Sequence, residues 1–227
     1  MPKAESDTTV IEVEAVSQEN NKVSVPSSDG LQFDQNDIDI PRLNVIQKTS
    51  DIEASTGSLV LDKRHVLLKP SEIGQVVVVS AVKAWKEDIP FDEGKMPRLA
   101  ATPALAAQLA ADSTYPVVEF ADIVLLFRQP EGSTDDEAYS YPIGDANYAL
   151  GKLYVAKDAY RQTYKRLVTF VAVNRSSEVR SRLRNRLWNF QSQLIERGKY
   201  SWYVPSLSVS QSETPAEVLE FIEMFNG

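Results

Sequence analysis

Four consecutive valines, Val76 to Val79, lie inside the run Gln75-Val-Val-Val-Val-Ser-Ala-Val-Lys-Ala-Trp85 and constrain this chain more than any other feature. Branching at Cβ crowds a helical backbone and suits a pleated one, so the run is predicted as a core strand. Val117 to Phe127 gives a second strand whose apolar stretch, Ile123 to Phe127, enters the core.

Shorter strands are expected at Ile40 to Gln47, where Leu43 and Val45 alternate with polar residues, and at Gly57 to Asp62 and Val66 to Lys69. Turn residues from Gln129 to Glu137 join the Val117 strand to Tyr139-Ser-Tyr-Pro-Ile143 as a long hairpin. Leu167 to Val173 reads as a strand by its β-branched content, and Tyr200 to Val209 alternates as the last.

Three stretches carry helical signals. Pro90 to Pro103 is loop-like, and the alanine-rich Ala104 to Ala111 after it forms a short helix. The longest helix is expected between Ser176 or Ser177, its cap, and Gly198, its stop, because Val179, Leu183, Leu187, Phe190 and Leu194 share one face. Thr214 caps a last helix with Pro215 at its first position and Val218, Ile222 and Phe225 aligned.

The expected fold is mainly β, five to seven short strands with one long and one or two short helices. A partly closed small barrel, of which the oligonucleotide-binding fold is one example, fits this order, and a sandwich reads similarly. Three segments follow: 1–39 as an acidic disordered tail, 40–210 as the β-barrel-like domain, and 211–227 as an acidic amphipathic helix. The tail assignment rests on residues 1–40, which carry nine acidic and two basic groups without an apolar period. No internal repeat is visible.

Several chemistries are excluded by inventory. There is no cysteine, which removes disulfides and thiolate sites and suits a reducing cytoplasm. The first residues lack a signal-peptide core, and no apolar run reaches the roughly 18 residues of a membrane span. The single histidine, His65, stands beside Lys63 and Arg64 as a surface residue, and no triad or histidine metal site assembles around it. Gly144 to Lys152 has the wrong spacing for a phosphate loop. Glu119 with Asp122, or Asp92 and Glu93 near Lys95, offer the minimal kit of a magnesium nuclease, but such pairs arise readily among 32 carboxylates. Asp34 to Asp39 lacks the glycine and closing glutamate of a calcium loop. The expectation is a protein without catalytic residues, metal or cofactor.

A net charge of −8 argues against a polyanionic partner until it is resolved along the chain. Residues 161–210 carry ten basic groups against two acidic, while residues 1–160 carry 14 against 26 and the last 17 carry only four acids. Rings interleave with the cations: Tyr148, Tyr154, Tyr160-Arg161, Tyr164-Lys165-Arg166, Arg175, Arg180, Arg182, Arg184, Arg186-Leu-Trp188, Arg197 and Lys199-Tyr200-Ser-Trp202-Tyr203. Single strands are held by base stacking on aromatic faces and by lysine and arginine along the phosphates. Tyr160, Arg161, Tyr164, Lys165, Arg166, Arg180, Arg184, Trp188, Lys199, Tyr200 and Trp202 are accordingly the candidate contacts. Trp188 sits at the edge of the helical stripe, between core and contact. Tyr200 and Trp202 are expected outward, with Ser201 and Tyr203 on the opposite face. A solvated charged face is the plain alternative for the arginines.

The order of features resembles phage-encoded single-stranded DNA-binding proteins. The residues that carry the resemblance are Ile40-Pro-Arg-Leu-Asn-Val-Ile-Gln-Lys-Thr-Ser50, the basic and aromatic segment Tyr160 to Phe170, Gly198-Lys-Tyr-Ser-Trp-Tyr-Val-Pro205, and an acidic tail ending near Phe225. The resemblance implies an oligonucleotide-binding fold, coating of exposed strands in DNA replication or recombination inside a host cytoplasm, and recruitment of partner enzymes through the C-terminal segment. The tail departs from that pattern by reading as an amphipathic helix, suited to docking on its own barrel or on a neighbouring subunit of a homo-oligomer. The expected function is sequence-independent single-stranded DNA binding. The alternative is a protein–protein adaptor or structural virion component using the arginine-rich helix.

Overall fold

The computed structural model describes residues 25–26, 32–33, 39–173 and 183–226. They belong to two units, residues 1–38 with Gly227 and residues 39–226. In the first, β1 (Val25–Pro26) pairs antiparallel with β2 (Gln32–Phe33). The disorder expected of residues 1–39 otherwise concerns positions outside the described residues.

The second unit is mainly β, 44% strand against 24% helix, and its sheet is a strongly curled, open half-barrel in keeping with the oligonucleotide-binding type. It holds ten strands rather than the five to seven expected. These are β3 (Arg42–Val45), β4 (Leu59–Leu61), β5 (His65–Leu68), β6 (Gly74–Glu87), β7 (Leu99–Ala100), β8 (Val117–Arg128), β9 (Tyr141–Ile143), β10 (Ala146–Ala156), β11 (Arg186–Arg197) and β12 (Tyr200–Glu213). The spatial order is β12-β11-β6-β8-β10-β3-β4-β5, with β7 beside β6 and β9 beside β10. The pair β10–β3 is parallel and the others are antiparallel.

The valine run lies in the middle of this order, buried on both faces. Val76 and Val78 point into the concave core with Ile123, Leu125, Phe127, Trp188 and Phe190. Val77 and Val79 point the other way, into a second core with Leu126, Leu150, Val218 and Ile222. A two-residue period thus feeds two cores, which explains the absence of polar alternation in the sequence. Curling brings β3 across β10 so closely that a Cβ on Gly151 would lie 2.6 Å from Leu43 Cγ; only glycine fits there.

Four helices are present among the described residues. α1 (Pro103–Asp112) is capped by Thr102, whose hydroxyl accepts from the Leu105 N–H. α2 (Lys157–Gln162) and α3 (Tyr164–Val173) pack on the curled sheet through Tyr160 and Leu167. α4 (Ala216–Asn226) buries Val218 and Ile222 in the second core. Its expected cap behaves differently: the buried Thr214 hydroxyl donates to the Arg184 carbonyl at 2.6 Å. None of the helices is long and apolar enough to cross a membrane.

Two sequence expectations are exchanged. Residues 186–197, placed in the long helix, form strand β11, and residues 167–173, placed in a strand, belong to helix α3. In β11 the residues two apart, Trp188 and Phe190, are the fully buried ones, while Leu194 of the supposed stripe is exposed. The helical spacing was coincidental, and the period of two wins because the hairpin with β12 supplies partners from Trp188 to Arg197. In α3 the β-branched Val168 and Val173 are exposed, while Tyr164, Leu167 and Phe170 form the inward stripe at helical spacing. Burial of that stripe overrides the strand propensity. The long hairpin is corrected too: β8 pairs along its length with β10, and β9 is a short flap on β10. Alanines and glycine in Ala146 to Ala156 disguise β10 as loop.

Candidate nucleic-acid interface

Helix α3 follows α2 after one residue, Thr163, whose buried hydroxyl donates back to the Ala159 carbonyl at 2.6 Å. This break holds the basic residues of both helices over the edge strand β12. The result is a groove of about 360 Å³ lined by Arg161, Lys165 and Arg166, with Phe170, Trp188 and Val209 as its apolar part. Among the described residues no carboxylate lines it.

Arg166 is fixed in place: its guanidinium donates to Ser206 Oγ at 2.9 Å and to the Leu207 carbonyl at 3.0 Å, and it also reaches Gln162. Those partners are neutral, and among the described residues its charge has no ion-pair partner. Arg161 is held loosely, 3.6 Å from Asp158. Lys165 is exposed and makes no ion pair among the described residues, its ammonium standing 5.9 Å from the Tyr160 ring. Three cations over an apolar floor, without an acid between them among the described residues, form a surface that attracts phosphate and accepts a flat base.

Asp158 continues the track, since its carboxylate also accepts from Arg197 at 2.8 Å. Arg197 opens the tight turn Gly198-Lys199 between β11 and β12, where Gly198 has φ of 58°, the conformation a two-residue hairpin demands at that position. The Arg197 guanidinium lies 5.6 Å from the Trp202 ring, and the Lys199 ammonium 5.3 Å from the Tyr200 ring. Tyr200 is 64% exposed and Trp202 half-buried, so the outward placement expected for this pair agrees best for Tyr200.

The remaining candidates are distributed differently. Trp188 is not a stacking residue: it is 1% exposed, donates its indole N–H to the Leu183 carbonyl at 3.1 Å, and meets Phe170 edge-on with centroids 5.2 Å apart. Tyr160 is buried as well, stacked on Tyr164 at 5.1 Å. Burial pushes its phenol up, with the Glu119 carboxylate adding to the effect. Tyr164 is half-buried as the outer member of that stack. Arg184 is half-buried, its carbonyl accepting from the Thr214 hydroxyl ahead of α4, and it is not among the residues that line the groove. Arg180 lies outside the described residues.

The acidic pairs do not form a metal kit. Glu119 and Asp122 are three apart on β8 and face opposite sides of the sheet, Glu119 being engaged by Lys83. Glu93 is engaged by Tyr115 and by Lys95.

Sequence reasoning did not select Arg197, which joins the groove to the hairpin tip, nor Arg42, Lys152 and Tyr154, which line a second hollow between β3, β10 and β12. Lys152 and Tyr154, two apart and so on one face of a strand, were the available signal. The chain matches no family of known proteins, no curated protein and no solved structure.

Proposed function

We propose that this protein binds single-stranded DNA without sequence preference, as a coating protein of phage replication or recombination acting in the host cytoplasm. The observation that carries this reading is the groove in which Arg161, Lys165 and Arg166 surround an apolar floor, with no carboxylate in its lining among the described residues. Phosphates sit on the cations, and bases lie against the floor, the exposed ring of Tyr200 and the half-buried ring of Trp202. The overall charge of −8 favours this division of labour, because attraction is confined to one track while the rest of the surface repels other polyanions.

Titration of a labelled oligonucleotide at rising salt tests the reading. Log K is expected to fall linearly with log salt, with a slope of about −0.7 for each phosphate neutralised on a single strand. Single strands are expected to bind more tightly than the matching duplex. Absence of binding, or binding indifferent to salt, would overturn it and leave the adaptor reading as the better account.

A further inference from the structure

The half-barrel has a seam where the end of β3 approaches β12, and a hollow of about 420 Å³ opens beside it. Its lining brings Arg42, Asn44, Asp122, Lys152, Tyr154 and Tyr203 together. That volume falls within the range of small-ligand sites. Arg42 and Lys152 are directly opposite one another in the parallel β3–β10 pair, so their side chains emerge on one face of the sheet. Among the described residues neither makes an ion pair. Tyr154 follows Lys152 on the same face and is 45% exposed, with Phe120 against it at 5.3 Å and the Lys86 ammonium 5.0 Å from its ring. Asp122 is its register partner on β8. Two free cations, one supported ring and one carboxylate acceptor match the parts of a nucleotide: phosphate, base face and the exocyclic amino group of a base.

Helix α2 contributes to the lining of both the hollow and the α3 groove. Ala159 lines the first and Arg161 the second, and along β12 Tyr203 and Pro205 border the first while Leu207 to Val209 border the second. Four residues of strand span about 13 Å, the length of about four stacked nucleotides.

We infer that the seam hollow is a second nucleotide-binding subsite, in which Arg42 and Lys152 hold phosphate and Tyr154 stacks a base of the same strand that occupies the α3 groove. The inference rests on the proposed single-strand binding and deepens it. A strand passing over α2 meets cations at both ends and rings in each half. The Asp122 carboxylate restricts phosphate to the Arg42 and Lys152 end and leaves the Tyr154 end for a base.

The test uses the full chain and two thymidine or cytidine oligonucleotides, of about 4 and about 16 nucleotides, the limits of a single-fold site. The double variant R42A/K152A is expected to bind the longer oligonucleotide with a salt slope shallower by about 1.4, two phosphates lost. Y154A is expected to lose about fivefold or more in affinity with its slope unchanged, since stacking is uncharged. An unchanged slope in a double variant that melts like the wild type, alongside normal wild-type binding, would overturn the second subsite and leave the proposed function standing. Absence of wild-type binding would overturn both. Titration with thymidine monophosphate separates a free nucleotide from a strand: saturable binding lost in R42A/K152A, with the oligonucleotide slope unaltered, would also overturn the continuous track.

Discussion

The side chain of Gln47 pairs with the backbone of Tyr203 as a neighbouring strand would: Nε2 donates to the Tyr203 carbonyl at 2.8 Å, and the Tyr203 N–H donates to Oε1 at 2.9 Å. One amide therefore bridges the segment that follows β3 to the edge strand β12, residues 156 apart in sequence. Removing it leaves two part-buried backbone groups without partners, each costing about 1–3 kcal/mol when desolvated. Q47A is expected to lower stability by about that amount or more, read as a shift in the urea midpoint. A midpoint equal to the wild type would show that the seam contributes nothing to closure.

Gly57 lies beneath the same tyrosine. Its φ is 91°, and a Cβ there would come within 2.7 Å of the Tyr203 ring. G57A combines a backbone penalty of about 1–2 kcal/mol with a steric clash. Because the two causes are separable, Y203A is expected to relieve only the steric share in a G57A/Y203A double-mutant cycle on thermal stability. Full additivity would mean that the ring moves aside at no cost.

These contacts mark the limit of what the sequence makes legible. Val76 to Val79 and Ile123 to Phe127 announce central strands because burial on both faces leaves only apolar side chains. Val218 and Ile222 announce a helix docked by one face. Leu187 to Leu194 misled because Trp188 and Phe190, two apart, satisfy a strand while Leu187, Phe190 and Leu194 satisfy a helix; the partner strand β12 decides, and nothing local does. The site divides in the same way. Arg161, Lys165 and Arg166 are close in sequence, so a helix suffices to gather them. Arg42 and Lys152 meet only through a parallel pairing over more than 100 residues, which no spacing rule expresses.

Acid stability depends on Glu87, a buried residue at the far end of β6. Its carboxylate accepts from the Arg98 guanidinium at 2.8 Å, from Ser113 Oγ at 2.5 Å and from the Arg98 backbone N–H at 2.8 Å. The Arg98 side chain, then Ser113 and the Arg98 N–H, hold its carboxyl down to about 2, against an ordinary 4.5. A lowered folded-state pKa gives stability that is complete above about 4.5 and is lost as pH falls toward about 2. E87Q is expected to flatten the stability curve across that interval, measured by urea unfolding at several pH values. Equal slopes for variant and wild type would exclude Glu87 as the titrating group.

Two aromatic residues of the β11–β12 hairpin, Trp188 and Tyr200, should respond in opposite ways. Trp188 is fully buried between Phe170 and the sheet, so W188A removes a large core side chain and is expected to cost about 3–5 kcal/mol. Tyr200 is mostly exposed, so Y200A is expected to leave the melting temperature in place and weaken oligonucleotide binding about fivefold or more. Binding unaffected by Y200A would remove the hairpin tip from the interface.

The C-terminal helix offers the sharpest contrast with the resemblance that first suggested its role. A recruiting tail of acidic residues is dispensable for folding, whereas α4 places Val218 and Ile222, at 1% and 0% exposure, against Val77, Val79, Leu126 and Leu150. Its acids, Glu217, Glu220 and Glu223, face outward. I222A is expected to cost about 2–5 kcal/mol, the range for a buried isoleucine truncated to alanine. Deleting residues 214–227 would uncover the outer face of the three central strands and is expected to produce aggregation on size-exclusion chromatography. E217Q/E220Q/E223Q separates the two roles, because it keeps the packed face and removes the charge. A stable, monodisperse protein after the deletion would show that the helix is an appendage; instability after deletion with normal folding of the triple variant would make it part of the core.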